Sequence, residues 1–499
     1  NSLKVGIVAT VLTMAISLPL AWLMVRCRFP GQGILQGLLL MPIVLPPFVG
    51  AIGIKEMLSR YGALNMLLVK LGIIDRAQPI DWLGGGFWCV VILQALHLYP
   101  IMYLNFASAL ANVDRTLEEA AESLGAHGWL RFRTVTMPLM LPGIFAGASL
   151  VFIFAFTDLG TPLIFLYNQV IPVRIFSMVE RATEDPTGYA LILLVIVITV
   201  ILFTISKCLM ERREVATLPR GPGGIVVHVL RGWRGWLALC AIGVLLILAV
   251  MPHISVFLNA LSRRWVMSVL PNEFTLKHFE AIVQHPITTI SIRNSFIYAI
   301  ASTTIDALLG VTIAYVLARR RIPFKGLLDI TAMLPLALPG VVIAFGYVGC
   351  FAGTFLDPRQ NAAPLLIISY AVRRLPYAVR ACYAGFQQVS VTLEEASASL
   401  GAPPVHTLAK ITIPLITAHI IAGAILTFAF AMLEVSDSLI LALNVRYFPM
   451  TKAIYVLSKR VGDGPQIASA MGVLGMVILA VSLIIASKLL GKRMGELFR

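Results

Sequence analysis

One stretch decides how this chain is interpreted: LEEAAESLGA at residues 117–126, which returns almost intact as LEEASASLGA at residues 393–402. Ten residues beyond the glycine of each copy comes a second short pattern, VTMP at 135–138 and ITIP at 411–414. A pattern of this length does not recur by chance at matching spacing. The chain therefore contains an internal repeat, and the repeated element carries carboxylates in an otherwise apolar sequence.

Each copy is expected to form a short helix, a glycine turn and a second amphipathic piece that ends at a proline. Alanine and glutamate favour helices, and Gly125 and Gly401 are natural residues for a left-handed helix stop. Asp114 in the first copy, and Ser390 or Thr392 in the second, are candidate N-caps. Helices this short and charged cannot cross a bilayer, so we expect them at the membrane surface, where a partner can pack on them. A solvated surface helix is the alternative for a single copy.

The composition is that of an all-α polytopic membrane protein. Of 499 residues, 59% are hydrophobic and 13% are charged, and apolar runs of about 20 residues, enough to cross a bilayer, recur throughout. The formal charge of +15 comes from Lys and Arg in short loops between these runs, which is the positive-inside pattern, so no nucleic-acid partner is expected. The six cysteines are scattered without a C-x-x-C pair, so neither a metal site nor a disulfide framework is predicted.

Eleven spans are predicted on the two sides of a basic, glycine-containing linker at 213–235. The spans lie at 5–25, 34–54, 87–110, 139–165 and 188–208 before the linker, and at 236–257, 294–318, 327–350, 363–388, 414–441 and 466–488 after it. We assign 1–212 to a first permease-like repeat and 236–499 to a second. Because the span at 236–257 has no counterpart in the first repeat, we expect one further span before Asn1, which would make about six per repeat.

The repeats also align outside the duplicated stretch. Pro42 and Pro46 match Pro335 and Pro339 at an offset of 293 positions. A second block matches at an offset of 276, from Pro100 and Pro376 to Asp158 and Glu434. The basic loops and both duplicated stretches fall on one side, which is predicted to be cytoplasmic. Both repeats then have the same orientation, a parallel repeat about an axis along the membrane normal, with a pathway near the midplane.

The sequence lacks the motifs of several enzyme classes. No G-x-x-x-x-G-K-[ST] stretch occurs, so the chain is not expected to bind ATP in that way. G-x-S-x-G and H-E-x-x-H are absent as well. We predict a transport protein that is not itself an enzyme and binds no cofactor.

With both duplicated stretches in view, the chain resembles the membrane permease subunits of bacterial binding-protein-dependent ABC importers, whose cytoplasmic "EAA" loop they match. The resemblance covers nearly the whole chain and implies the type I importer architecture, an inner-membrane location and a lipid environment. It also implies two copies of a cytoplasmic ATPase subunit that holds the ATP, and an extracytoplasmic solute-binding protein. The ATPase-coupling residues that it implies are Glu119, Ala120, Gly125, Pro138, Glu395, Ala396, Gly401 and Pro414.

The fused, double-length form is similar to the iron(III) permease group, which implies iron(III) as the solute. Related permeases for 2-aminoethylphosphonate, thiamine and polyamines give the alternatives. An ion-driven secondary transporter would also suit parallel repeats and midplane charges, but it needs no docking helix. A membrane scaffold explains neither the repeat nor the interrupted spans.

Charged residues inside the spans are candidates for the translocation pathway. Asp306, Arg373 and Arg374 fall inside predicted spans of the second repeat only. Because an unpaired charge at the bilayer centre costs at least about 2.5 kcal/mol, each is expected to face a partner or water. Mutual pairing of Asp306 with the arginines is one interpretation, and lining the solute path is the other.

A second group of candidates lies near the far ends of the fourth span of each repeat. Asp158 and Glu434 each lie 20 residues beyond the proline of their copy, or ~30 Å along a helix. With Asp437 they predict an acidic mouth on the extracytoplasmic side, which favours a multivalent cation over an anion. Helix-end solvation, or contact with the binding protein, is the alternative.

Prolines interrupt one span in each repeat, at 42–47 and at 335–339. Prolines in a span kink it or break it, and two roles are open for these. They serve either as packing kinks or as gating hinges beside the pathway.

Overall fold

The computed structural model describes residues 1–44, 46–179, 186–211 and 228–496. Contacts divide the chain into two units. Unit 1 is Asn1–Arg174 with Leu191–Thr275, and unit 2 is Ile175–Ala190 with Leu276–Arg499. Most of the predicted linker, residues 213–227, lies outside the described residues. The units do not follow the predicted repeats, because residues on each side of the linker belong to unit 1.

Helices account for nearly all of the regular structure in unit 1. They are α1 Ser2–Arg26, α2 Gln32–Leu38, α3 Pro47–Leu58, α4 Ala63–Lys70, α5 Phe87–Ala111, α6 Arg115–Ser123, α7 Gly128–Arg131, α8 Met137–Thr157, α9 Gly160–Ile164 and α12 Trp233–Leu261. Two further helices, α10 Ile171–Ser177 and α11 Thr187–Glu211, carry residues of both units. A 3-10 turn at Met41–Val44 precedes α3, and a π-helical turn at Phe132–Thr136 joins α7 to α8.

Unit 2 repeats this order of elements. Its helices are α13 Lys277–Gln284, α14 Pro286–Arg319, α15 Lys325–Ala337, α16 Gly340–Cys350, α17 Ala362–Gln388, α18 Val391–Ser399, α19 Pro404–Thr407, α20 Ile413–Met432, α21 Ser436–Leu441, α22 Met450–Ser458 and α23 Gly464–Glu496. A π-helical turn at Leu408–Thr412 precedes α20, and a 3-10 turn lies at Val445–Tyr447.

The described strands are four short segments, all in unit 1. Strand β1 (Cys27–Arg28) pairs in parallel with β2 (His228–Val229), and β3 (Ser262–Arg264) pairs antiparallel with β4 (Glu273–Phe274). These pairs join loop segments and leave the all-α prediction intact.

The element bounds confirm the duplication that the sequence predicts. Helices α6 and α7 and the π turn of the first repeat reappear as α18, α19 and the second π turn. Each begins and ends 276 positions after its counterpart. Helix α16 begins 293 positions after α3. Helix α4 lies between the two aligned blocks, where the offset falls from 293 to 276 and the first repeat is therefore the longer one.

Each predicted span falls on a helix or on a bent pair of helices. Among the described residues, seven helices are long and apolar enough to cross a membrane, and the count reaches nine if each bent pair is one span. The other two predicted spans fall on α11, whose apolar described part is shorter, and on α17, which is 27 residues long but carries three arginines. Each of these arginines forms an ion pair, Arg373 and Arg374 with Glu434 and Arg380 with Asp329.

A core of three long helices recurs in the two units: α1, α5 and α8 pack together in unit 1, as do α14, α17 and α20 in unit 2. Small residues set the crossing of the second and third of these helices. A Cβ placed on Gly147 of α8 would lie 3.1 Å from the Cβ of Asn105, and one on Gly423 of α20 would lie 2.9 Å from the Cβ of Ala381. Close backbone approach through small residues is how helices associate where no hydrophobic force drives them together.

The proline-rich spans are sharply bent. Residues 32–43 and 47–70 meet at 93°, and residues 325–336 and 340–350 meet at 98°. Helices α3 and α16 therefore begin at a break within a predicted span. Proline removes a backbone donor and clashes with the preceding turn, which accounts for a break at these positions. This confirms that the prolines interrupt the spans.

Candidate functional site

The two duplicated segments adopt one conformation, which we call the coupling loops (residues 114–138 and 390–414). Asp114 accepts a hydrogen bond from the backbone N–H of Thr116 at 2.9 Å, and Ser390 accepts one from that of Thr392 at 3.3 Å. Both predicted N-caps are thus present, with Ser390 as the cap in the second copy. After each helix, Gly125 and Gly401 have φ of +88° and +82°. These are left-handed values that favour glycine, so the predicted glycine stops are confirmed.

The prediction that each second piece ends at its proline is wrong. Pro138 and Pro414 lie in the first turn of α8 and α20, and the chain stays helical from Gly128 to Thr157 and from Pro404 to Met432. A π turn precedes each proline. Proline fits the first turn of a helix because its missing N–H is not needed there. The coupling loops are therefore continuous with the spans that follow them.

The first glutamate of each coupling loop, buried in the first copy and mostly buried in the second, forms an ion pair that the sequence analysis did not predict. Glu118 lies 3.0 Å from Arg26, the last residue of α1, and the two side chains are 6% and 5% exposed. In unit 2, Glu394 lies 2.9 Å from Arg319, the last residue of α14. The sequence signal for this pair is the alignment of Arg26 with Arg319 at the offset of 293.

A further contact fastens each coupling loop, and here the copies differ. In the first copy, Arg131 forms an ion pair with Glu122. In the second copy, the buried Ser397 hydroxyl lies 2.8 Å from that of Thr407, which occupies the position equivalent to Arg131. Ser397, which stands where the first copy has the second alanine of the motif, thus has a hydrogen-bond partner. The two copies therefore differ in this contact.

The outer face of each coupling loop is exposed. Glu119, Ala120, Glu395 and Ala396 are all exposed. Leu124 and Leu400 are each 89% exposed, and Leu117 and Leu393 are 48% and 47% exposed. Exposed apolar side chains at the same positions of two copies are typical of a surface that binds a partner.

The charged residues of the second repeat converge inside unit 2. Glu434, 4% exposed, forms ion pairs with Arg373 and Arg374 of α17, and Arg373 also lies 3.5 Å from Asp437. Asp437 accepts a 2.7 Å hydrogen bond from Ser369. The guanidinium of Arg373 also packs on Gly340, the first residue of α16. The cluster thus joins α17 to the broken span and to the end of α20.

The acidic mouth and the pairing of Asp306 with the arginines are both corrected by this cluster. Glu434 and Asp437 are buried, and two guanidinium groups balance their charge, so these carboxylates do not form an acidic opening. Their partners lie near the middle of α17, which places Glu434 inside the span. The arginines pair with Glu434 and Asp437 and not with Asp306.

Asp158, which aligns with Glu434, is bound differently in unit 1. Its carboxylate accepts hydrogen bonds from the Gln94 amide at 3.0 Å and from the backbone N–H groups of Gly160 and Thr161 at 3.1 and 3.3 Å. These neutral donors make it a cap at the break between α8 and α9. The position equivalent to Arg373 is His97, whose Nδ1 lies 2.9 Å from the Pro42 carbonyl oxygen. The proline-containing broken span of each repeat therefore contacts a basic residue, His97 in the first repeat and Arg373 in the second.

Asp306 is fully buried on α14, and neither of its carboxylate oxygens has a hydrogen-bond partner among the described residues. An ionised, unpaired carboxylate in a span costs at least about 2.5 kcal/mol. We therefore expect Asp306→Asn to leave the thermal stability of the purified permease unchanged or raised. The matched control is Asp437→Asn, equally buried but bound by Arg373 and Ser369, which should lose about 1.5–3 kcal/mol. A loss for Asp306→Asn as large as that of the control would contradict the prediction.

Comparison with known proteins agrees with these features. The sequence profile of the family described as "binding-protein-dependent transport system inner membrane component" matches the chain twice, at residues 10–214 and 308–496. A putative ferric transport system permease of Haemophilus influenzae is 28% identical over 451 residues, 87% of this chain and 67% of that protein.

Two further relatives differ in length. The ferric transport system permease of Actinobacillus pleuropneumoniae is 28% identical over 96% of this chain and 68% of its own length. The molybdenum transport system permease of Escherichia coli is 32% identical, but over 42% of this chain and 90% of its own length. The chain thus contains two family domains, and the alternative of an ion-driven carrier is set aside. This chain belongs to the family of inner membrane components of binding-protein-dependent transport systems, as a multi-pass, double-length ABC importer permease with two fused repeats.

Proposed function

We propose that the chain forms the solute pathway of an ATP-driven importer and that two copies of a separate ATPase subunit dock on its coupling loops. The observation that carries the proposal is the pair of coupling loops, which have the same helix bounds and the same exposed leucines. Two equal surfaces call for two copies of one partner. The chain itself has no phosphate-binding loop, so ATP is assigned to the partner.

Coupling is proposed to follow alternating access. Closure of the ATPases around ATP would draw the coupling loops, and the helices α8 and α20 that continue from them, toward one another. The pathway would then open to the extracytoplasmic side, where a solute-binding protein delivers its cargo. The residues proposed to meet the ATPases are the exposed ones named above, led by Glu119 and Glu395.

Iron(III) is the solute that we propose. The support is the length of the match: the ferric transport relatives align over 87% and 96% of the chain, and the molybdenum transport relative over 42%. The acidic mouth predicted from the sequence lends no support, because Glu434 and Asp437 are ion-paired. A molybdenum oxyanion, 2-aminoethylphosphonate, thiamine and a polyamine are the competing solutes.

The permease, its ATPase and its binding protein should be reconstituted together in proteoliposomes. The binding protein is first titrated with ferric iron, molybdate, 2-aminoethylphosphonate, thiamine and spermidine. Uptake of the bound solute is then measured with ATP supplied on the side of the vesicle membrane where the ATPase lies. ATP-dependent uptake of iron alone supports the assignment, and uptake of another solute in its place would replace iron while leaving the importer function intact.

Replacing Glu119 and Glu395 together by lysine should reduce solute-stimulated ATP hydrolysis at least about tenfold, since charge reversal at a docked surface costs more than 1.4 kcal/mol. Membrane insertion should be unaffected, because both side chains are exposed. Glu280→Lys, an exposed reversal on α13, is the control. Full stimulation in the double variant would contradict docking through these glutamates.

A further inference from the structure

An ion pair, buried in the first copy and mostly buried in the second, links each coupling loop to the long helix that begins its three-helix core. The pairs Arg26–Glu118 and Arg319–Glu394 are 3.0 and 2.9 Å long, and each arginine is the last residue of its helix. Side-chain exposure is at most 6% in the first pair and 18% in the second. Of the fastenings described above, this is the one that the two copies share.

The same glutamates also bind the helices that follow the coupling loops. Glu118 accepts a 2.8 Å hydrogen bond from the hydroxyl of Thr136, the last residue of the first π turn. Glu394 accepts one of 3.2 Å from Thr412 at the equivalent position. Arg319 in addition donates a 2.7 Å hydrogen bond to the carbonyl oxygen of Val389, the residue that follows α17. One carboxylate thus holds the ends of separate helices together.

The chain connectivity explains why such a link has a use. Each coupling loop lies between the second and third helices of its core (α5 and α8, or α17 and α20), so it is covalently connected to these two. The first helix, α1 or α14, ends far earlier in the sequence. The ion pair connects the coupling loop to the last residue of this first helix, which the chain itself does not join to the loop.

We propose that Arg26 and Arg319 are positioning residues that make each coupling loop and all three helices of its core move as one body. Buried ion pairs add little net stability compared with apolar residues of similar volume, so stability alone does not account for two of them. A link with fixed geometry does account for them, because a displacement imposed on the coupling loop reaches α1 or α14 without being absorbed in the loop. The inference rests on the proposed function, since it supposes that an ATPase moves the loop.

The test uses the whole transporter in proteoliposomes, with ATPase and solute-loaded binding protein. Arg26→Gln and Arg319→Gln are each compared with a neighbouring exposed arginine, Arg28→Gln and Arg321→Gln. Three quantities are measured: ATPase retained on the permease, hydrolysis without binding protein, and the ratio by which loaded binding protein stimulates it. We expect ATPase retention and basal hydrolysis to stay near wild type and the stimulation ratio to fall about tenfold, because the glutamate loses its partner and no longer holds the coupling loop to α1 or α14. The control variants should be unchanged in all three quantities.

Variants in which the two charges of a pair are exchanged distinguish loss of the link from loss of folding. The variant with Arg26→Glu and Glu118→Arg, and its counterpart with Arg319→Glu and Glu394→Arg, should recover at least half of the wild-type ratio. A normal ratio in the single variants overturns the inference. So do a parallel loss of basal and stimulated hydrolysis, which indicates a structural role, and folded exchange variants that are not stimulated. Failure of the wild-type transporter to respond to loaded binding protein would instead count against the importer function.

Discussion

The variant Glu434→Ala is expected to lose transport and to be about 3–5 kcal/mol less stable than wild type, because it removes the buried carboxylate that pairs with both Arg373 and Arg374 and leaves only the 3.5 Å contact of Arg373 with Asp437. Arg373 and Arg374 lie near the middle of α17, with side chains 18% and 13% exposed, so water does not replace the carboxylate fully. Thermal unfolding of the purified permease and solute uptake by cells measure the two effects.

The aligned residue of the first repeat supplies a matched control. Asp158→Asn should cost at most about 1 kcal/mol, because asparagine caps a helix about as well as aspartate and the Asp158 carboxylate has neutral donors. Equal losses at Asp158 and Glu434 would show that the arginines do not distinguish the two sites.

A quadruple variant separates stability from transport. Changing Arg373, Arg374 and Glu434 to glutamine together with Asp437 to asparagine removes all four charges of the cluster, and neutral replacement of a whole buried ion-pair cluster is far less costly than removal of one partner. Stability should therefore return toward wild type. Transport that returns with it would assign the cluster a structural role, and transport that stays lost would place it in the solute pathway.

The second large effect is expected at the cytoplasmic surface. With Leu124→Asp and Leu400→Asp combined, we expect the ATPase to be lost from the purified complex, because two carboxylates would have to be buried without partners in the docked surfaces. The isolated permease should be as stable as wild type, since both leucines are 89% exposed. Co-purification of the ATPase and thermal unfolding of the permease are the measurements.

The control for this variant is Val461→Asp, a substitution at a residue 97% exposed in the loop between α22 and α23. By the predicted topology this loop faces the opposite side of the membrane, so the ATPase should be retained. Retention of the ATPase by the double leucine variant would exclude these leucines from the docking surface.

Sequence reasoning succeeded where the pattern was long and repeated. The coupling loops, their caps and their glycine turns followed from local rules, and the element bounds of one repeat were copied in the other. Spans followed from the length of the apolar runs. The residues that determine a cap, a glycine turn or an apolar span lie close together in the sequence, so a local pattern is enough to predict them.

The errors came from contacts between distant residues. Arg373 and Glu434 are about sixty positions apart, and periodicity does not tell which faces of two helices meet, so Glu434 was placed in an open mouth. The ion pair of Arg26 with Glu118 was missed for the same reason. The end predicted at Pro138 failed because a π turn delivers the proline into the first turn of α8, where it is tolerated.

The difference between the two repeats has a consequence for stoichiometry. One repeat carries Arg373, Arg374 and Glu434, and the other carries His97, Leu98 and Asp158 at the same positions. A permease of single length that pairs with itself must place an identical set on both subunits, because symmetry copies every residue. Because the two repeats of this chain are joined covalently, every chain contains the set Arg373, Arg374 and Glu434 once and the set His97, Leu98 and Asp158 once, and a transporter with two copies of either set cannot arise.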